Sequence, residues 1–240
     1  MFSDHVFAAL ETYASHADAQ FLTRFFKTGE GQYGAGDQFI GVRVPDTRQV
    51  AKQFAEASLA ELEELLESPI HEMRLCAVII MANQAKRAND TQRQALFDLY
   101  LRRADRINNW DIVDVSCRDV IGGYLMDHPE KQKLLDKLAV SPDLWTRRIA
   151  MVSTWQFIRA RQLQPTFRIA ELLLKDKHDL IHKAVGWMLR EAGKKNELQL
   201  RQFLAKHKNT MPRTALRYAI EKFTPEERAQ FMRREPAANR

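Results

Sequence analysis

Cysteine is scarce in this chain: Cys76 and Cys117 are the only two, they lie far apart, and neither belongs to a CxxC pair. That excludes a disulfide scaffold, a zinc ribbon and a thioredoxin-type redox pair, and two buried thiols in a reducing compartment are expected instead. Glycine and proline are also few, 9 and 8 among 240 residues, which excludes collagen-like and low-complexity chains. No apolar run approaches the length of a membrane span, and the opening MFSDHVFAALETY carries Asp4 and Glu11 where a secretory leader would be basic. A soluble cytoplasmic protein with no membrane partner is expected. The GxxxxGK(S/T), HExxH and GxSxG patterns are all missing, and the glycines around Tyr33 have no strand before them, so a nucleotide loop is excluded. His178 and His182 stand one helical turn apart, but no further ligand joins them. Neither a metal nor a cofactor is expected.

Strand patterns are nearly absent too, while apolar residues recur at helical spacing: Leu59, Leu62, Leu65 and Leu66; Leu96, Leu99 and Tyr100; Leu134, Leu135 and Leu138; Ile169, Leu172 and Leu173. An all-α fold follows. Helix starts are expected at Thr91, at Ser141 with Pro142, at Pro165, at Asp179 and at Thr210 before Met211-Pro212. The loop-rich stretch is Thr28 to Pro45, with five glycines.

Five segments share one outline: SPIHEMRLCAVIIMA from Ser68, INNWDIVDVSCRDVI from Ile107, SPDLWTRRIAMVSTW from Ser141, DKHDLIHKAVGWMLR from Asp176 and HKNTMPRTALRYAIE from His207. They recur about every 35 residues, the spacing of helical repeats, with more polar helices between them. The expected architecture is a single curved solenoid of antiparallel helix pairs over 1–240. Its N-terminal helices and Gly-rich loop would occupy 1–57, the repeats 58–224 and a tail 225–240. The second helices of such an array line one concave face. Arg74, Arg147, Lys183 and Arg213 then form a basic row on it, and the excess of 37 Lys and Arg over 31 Asp and Glu suits a polyanionic partner. The same cations could equally solvate helix ends.

The motif that stands out is NNWDIVD from Asn108. On a helix Trp110 and Asp114 share a face, while Asp111 and Val115 are rotated away. Asp114 occupies the repeat position that Arg148 takes one copy later, and Gly186-Trp187 sets a second indole on the next inner helix, the glycine allowing a close approach. Each of these residues also has an ordinary structural reading, as core aromatic or packing ion pair.

Several stretches resemble the AlkD-type DNA alkylation repair glycosylases, a family built from HEAT-like repeats: RFFKTGEGQYGAGDQFIGVRVPDTR from Arg24, NNWDIVDVS from Asn108, LWTRR from Leu144 and HKAVGWMLRE from His182. The resemblance runs through nearly the whole chain. It implies Asp114 as the catalytic carboxylate, Trp110 and Trp187 as the cleft indoles and Arg148 as the cleft arginine, with Arg147, Lys183 and Arg213 as further DNA contacts. A tyrosine found in the cleft of some members would be replaced near Phe25. The implied activity is hydrolysis of the N-glycosidic bond of cationic N3- and N7-alkylated purines in duplex DNA, in base excision repair, by a monomer without a base-flipping pocket. Two other uses of such a surface compete with it: a non-catalytic module binding distorted or branched DNA, and a protein-interaction scaffold. Lys27, Arg43, Arg48, Lys194, Lys195 and Arg217 are further cations that could touch phosphate.

Overall fold

A computed structural model describes residues 1–233 of the chain. Among them the structure is all-α, and strand-like pairing is confined to one isolated bridge between Gln38 and Ile70. None of these helices is long and apolar enough to cross a membrane. The chain divides into two compact units, Met1–Tyr124 and the remainder from Leu125.

The first unit contains α1 (Phe2–Glu11), α2 (His16–Phe25), α3 (Val44–Gln53), α4 (Leu59–Leu66), α5 (His71–Ala85), α6 (Asp90–Arg102) and α7 (Trp110–Cys117). Helix α5 is its axis: it packs on α3, α4 and α7, and every residue from His71 to Ala82 is buried. A helix buried all round has no polar face, which is why this segment reads as mixed apolar rather than amphipathic. The helix around it, α4, is amphipathic in the ordinary way, burying Leu62, Leu65 and Leu66. Each such leucine contributes about 1.5–3 kcal/mol on leaving water.

Capping residues set the boundaries. Ser58 and Glu61 form a capping box at the start of α4, and Asn89 and Gln92 form another at α6. The expected start at Thr91 is therefore two residues late, because the amide of Asn89 captures the Gln92 N–H first. Between α2 and α3 the chain runs without a helix from Phe26 to Arg43, close to the expected loop, and Pro45 falls in the first turn of α3. After α7 the helix widens into a π turn at Arg118–Gly122 and continues as α8 (Gly123–Asp127).

The second unit contains α9 (Leu134–Ala139), α10 (Leu144–Ser153), α11 (Trp155–Arg159), α12 (Gln164–Leu173), α13 (Asp179–Lys195), α14 (Glu197–His207), α15 (Arg213–Ala219) and α16 (Pro225–Met232). Helix α13 is central here, packing on α10, α11, α12, α14 and α15. Its first residue is Asp179, as its sequence indicates, and His178 caps it by accepting the Leu180 N–H at 3.2 Å. At α10 the cap is Asp143 rather than Ser141, and at α15 it is Pro212 rather than Thr210. The first eight residues of the expected tail form α16, and residues 234–240 lie outside the described ones.

Candidate nucleic-acid interface

Helix α7 has two kinds of side chain. Asp111, Ile112, Val113, Ser116 and Cys117 are buried, whereas Trp110, Asp114 and Val115 are partly exposed. Trp110 and Asp114 are thus the aromatic and the carboxylate that this helix leaves within reach of solvent. The helix is anchored beneath them by Tyr100, whose hydroxyl lies 2.8 Å from Ser116 Oγ, while Ser116 donates back to the Ile112 carbonyl at 2.6 Å. Burial pushes the Tyr100 phenol well above its ordinary pKa, and the neighbouring charges of Cys117 and Asp114 push the same way.

Trp110 belongs to an aromatic cluster. Phe26 stacks on it with ring centroids 5.3 Å apart, and Phe25 meets it edge-on at 6.0 Å. Phe25 in turn stacks on Phe21, and both are about half exposed, at 51% and 55%. Phe25, near which the resemblance places the substitute for the cleft tyrosine, is thus a half-exposed ring in edge contact with Trp110. On the inner side, Phe26 and Phe39 pack at 5.0 and 4.5 Å from the His71 ring.

His71 lies within a buried polar network. Its Nδ1 is 3.1 Å from Asp37 and its Nε2 is 2.8 Å from Asp111. Asp37 also accepts from the Asn109 side-chain amide at 3.0 Å and from the Arg74 guanidinium. The neighbouring Glu72 accepts three successive loop N–H groups, from Ile40 at 3.3, Gly41 at 2.9 and Val42 at 3.2 Å. Gly41 has φ of +84°, and an added Cβ would collide with the Ser15 carbonyl, so only glycine fits there. Burial works against a charge on His71, yet attraction to Asp111 and hydrogen bonds to both carboxylates raise its pKa to about 9.

Arg74 is a correction to the expected basic row. It is 1% exposed, and its guanidinium is held by Asp37 and the Ser68 carbonyl, a buried ion pair standing where the basic row was expected. Helical phase places it on α5, and α5 is buried on every side.

In the second unit Arg148 is 5% exposed and donates to the Leu180 carbonyl at 2.6 Å. Arg147 reaches Asp176 at 2.6 Å and the carbonyls of Ser141 and Pro142 at 2.9 and 2.8 Å. Lys183 is partly exposed and pairs with Asp179 at 2.8 Å, and Arg213 donates to the Met232 carbonyl. Trp187 is partly exposed and lies 5.9 Å from Trp155 at a tilt of 47°. The glycine before it does allow a close approach, but the approaching group is α15: a Cβ on Gly186 would meet Tyr218 and come within 2.5 Å of the Ala215 carbonyl. Of the secondary cations, Arg43 is held by both Asp18 oxygens at 3.0 and 3.1 Å and Lys194 by Glu191 at 2.7 Å, while Lys27, Arg48, Lys195 and Arg217 are exposed.

The network around His71 corresponds to no motif in the sequence. Asp37, His71 and Asp111 come from a loop and two helices far apart in sequence, so no local spacing announces them. The nearest signal is the pair His71-Glu72 opening an otherwise apolar helix.

No curated protein matches the sequence. Among solved structures the fold is similar to a "Predicted DNA alkylation repair enzyme from Enterococcus faecalis", with a TM-score of 0.70, 16% sequence identity, 88% of this chain covered and 97% of that one. A family model described as DNA alkylation repair enzyme matches residues 6–223. The chain therefore belongs to the DNA alkylation repair enzyme family.

Proposed function

We propose that the protein is a DNA glycosylase that hydrolyses the N-glycosidic bond of positively charged N3- and N7-alkylated purines in duplex DNA. The observation that carries this reading is the pair Trp110 and Asp114, left partly exposed on one helix whose other polar residues are turned inward, within a chain of an alkylation repair family.

The chemistry needs little more than that pair. In a cationic purine the C1′–N bond electrons move onto the base as the bond breaks, which discharges the ring, so the leaving group requires no proton. Positive charge develops instead on the deoxyribose. Water oxygen then bonds to C1′ and its proton is released, giving an abasic sugar, a neutral free base and one proton. A sugar hydrolase pairs two carboxylates because its leaving group must be protonated; here one suffices. At about 4 Å and an effective dielectric of about 20, a carboxylate attracts a unit positive charge by roughly 4 kcal/mol. About 1.4 kcal/mol is already tenfold in rate, so partial expression of that attraction is enough.

Asp114 is assigned to the developing sugar cation and to orienting the water. The indole of Trp110 offers its electron-rich face, an interaction of about 0.5–2 kcal/mol, and Trp187 is assigned the same role. Arg148 is assigned to a phosphate or to steering the carboxylate, and Arg147, Lys183 and Arg213 to the DNA backbone. The protein would act as a cytoplasmic monomer without metal or cofactor. Selectivity would then come from the lability and charge of the lesion rather than from a pocket closed around a flipped base.

The test is release of methylated base from alkylated duplex by the wild type and by Asp114→Asn. Release by the variant should fall at least about tenfold while duplex binding is retained. Equal release by both proteins removes Asp114 from its role, and duplex binding by the wild type without any release favours a non-catalytic DNA-binding module.

A further inference from the structure

The buried network beneath Trp110 contains more charge than packing alone requires. The side chains of His71, Asp37 and Asp111 are 2%, 4% and 9% exposed. Carboxylates only accept hydrogen bonds, so an imidazole with one on each nitrogen donates to both only when doubly protonated. The groups facing it are Glu72 and Arg74 from its own helix, Asp37 from the loop and Asp111 from α7, with the Arg106 guanidinium beyond, bonded to the carbonyls of Leu66, Glu67 and Ser68. Were His71 neutral, the buried carboxylates of Asp37 and Asp111 would be left with the guanidinium of Arg74. Buried charge without a partner is costly, so the proton on His71 is part of the structure.

Two routes lead from His71 to the exposed indole. Asp111 follows Trp110 directly, and its other oxygen accepts the Ile112 N–H at 2.9 Å, so the His71–Asp111 bond fixes the first turn of α7. Asn109, which caps that turn by accepting the Trp110 N–H at 2.8 Å, donates to Asp37, the second carboxylate on His71. The second route is through rings: His71 packs on Phe26, and Phe26 stacks on Trp110.

We propose that His71, as an imidazolium bridging Asp37 and Asp111, is a positioning residue that holds Trp110 and the first turn of α7 in the geometry used for base excision. The functional part of this rests on the reading of Trp110 and Asp114 as the excision pair. His71 touches neither DNA nor the reacting sugar in this scheme; it acts through Asp111, Asn109 and Phe26.

The experiment uses the full chain labelled with 5-fluorotryptophan, whose four 19F resonances report the 4 tryptophans, with Trp110 assigned by its loss in Trp110→Phe. Between neutral pH and pH about 10 the Trp110 resonance should shift with a midpoint near the His71 pKa of about 9, and in His71→Gln it should already sit near its high-pH position and stay there. Base release from methylated duplex should lose about tenfold across the same midpoint in the wild type, whereas His71→Gln should be low and flat over that range. A Trp110 resonance that does not move in the wild type, or that moves identically in His71→Gln, overturns the proposal. If His71→Gln does not fold, the wild-type titration decides alone. A titrating Trp110 in a protein that releases no base at any pH upholds the structural link and refutes the excision reading.

Discussion

An imidazolium enclosed by protein makes stability depend on pH, and the direction follows from its shift. The His71 pKa is raised from 6.5 to about 9, so the folded state holds the proton more tightly than the unfolded chain. The stabilisation is fully present below the unfolded value and is lost as pH rises through the folded one. Denaturant unfolding should therefore report a loss of up to about 3 kcal/mol between pH 6.5 and about 9, absent in His71→Gln. Asp37 adds the opposite limb: burial favours its neutral form, but the bonds from His71 and Asn109 and the charge of Arg74 outweigh this and lower its pKa, so its contribution is lost on acidification. None of this was legible beforehand. Trp110 and Asp114 announce themselves because one helical turn separates them, whereas Asp37, His71 and Asp111 meet only after the loop has folded onto two helices. Arg74 misled for the same reason, since its repeat position says where along a helix it lies but not what covers that helix.

Helices were legible where their packing is one-sided and their ends less so. The leucines of α4 and the start of α13 at Asp179 follow periodicity and capping chemistry directly. The starts of α6, α10 and α15 fall at Asn89, Asp143 and Pro212 because several polar residues compete for each cap, and the winner is the one whose oxygen meets the free N–H or whose φ already suits the turn. Asn89→Ala should accordingly lower stability by about 1 kcal/mol, read from urea unfolding. The contact between α13 and α15 is more sensitive. An alanine at Gly186 would strike the backbone of Ala215, which cannot rotate away, so Gly186→Ala should destabilise by about 1–3 kcal/mol and lower the melting temperature. Because Trp187 is the next residue, its fluorescence should respond in the same variant.

At the scale of the whole molecule, the sequence yielded the all-α class and the family, since helical periodicity and ordered motifs persist along nearly the entire chain. A net charge of +6 favours a polyanion, and the log affinity for the proposed DNA substrate should fall with log salt. Several of the cations proposed to contribute are engaged: Arg147 by Asp176, Arg213 by Met232 and Lys183 by Asp179. In Lys183→Gln, loss of one phosphate contact should make the salt slope shallower by about one. The π turn at Arg118–Gly122 has a consequence for how this chain takes a change of length. An α-helix that gains or loses one residue rotates everything beyond it by about 100°. A turn that already holds a surplus residue gives such an insertion or deletion a place to be absorbed, by tightening or widening, so a one-residue deletion there should leave the indole and carboxylate upstream with their aim.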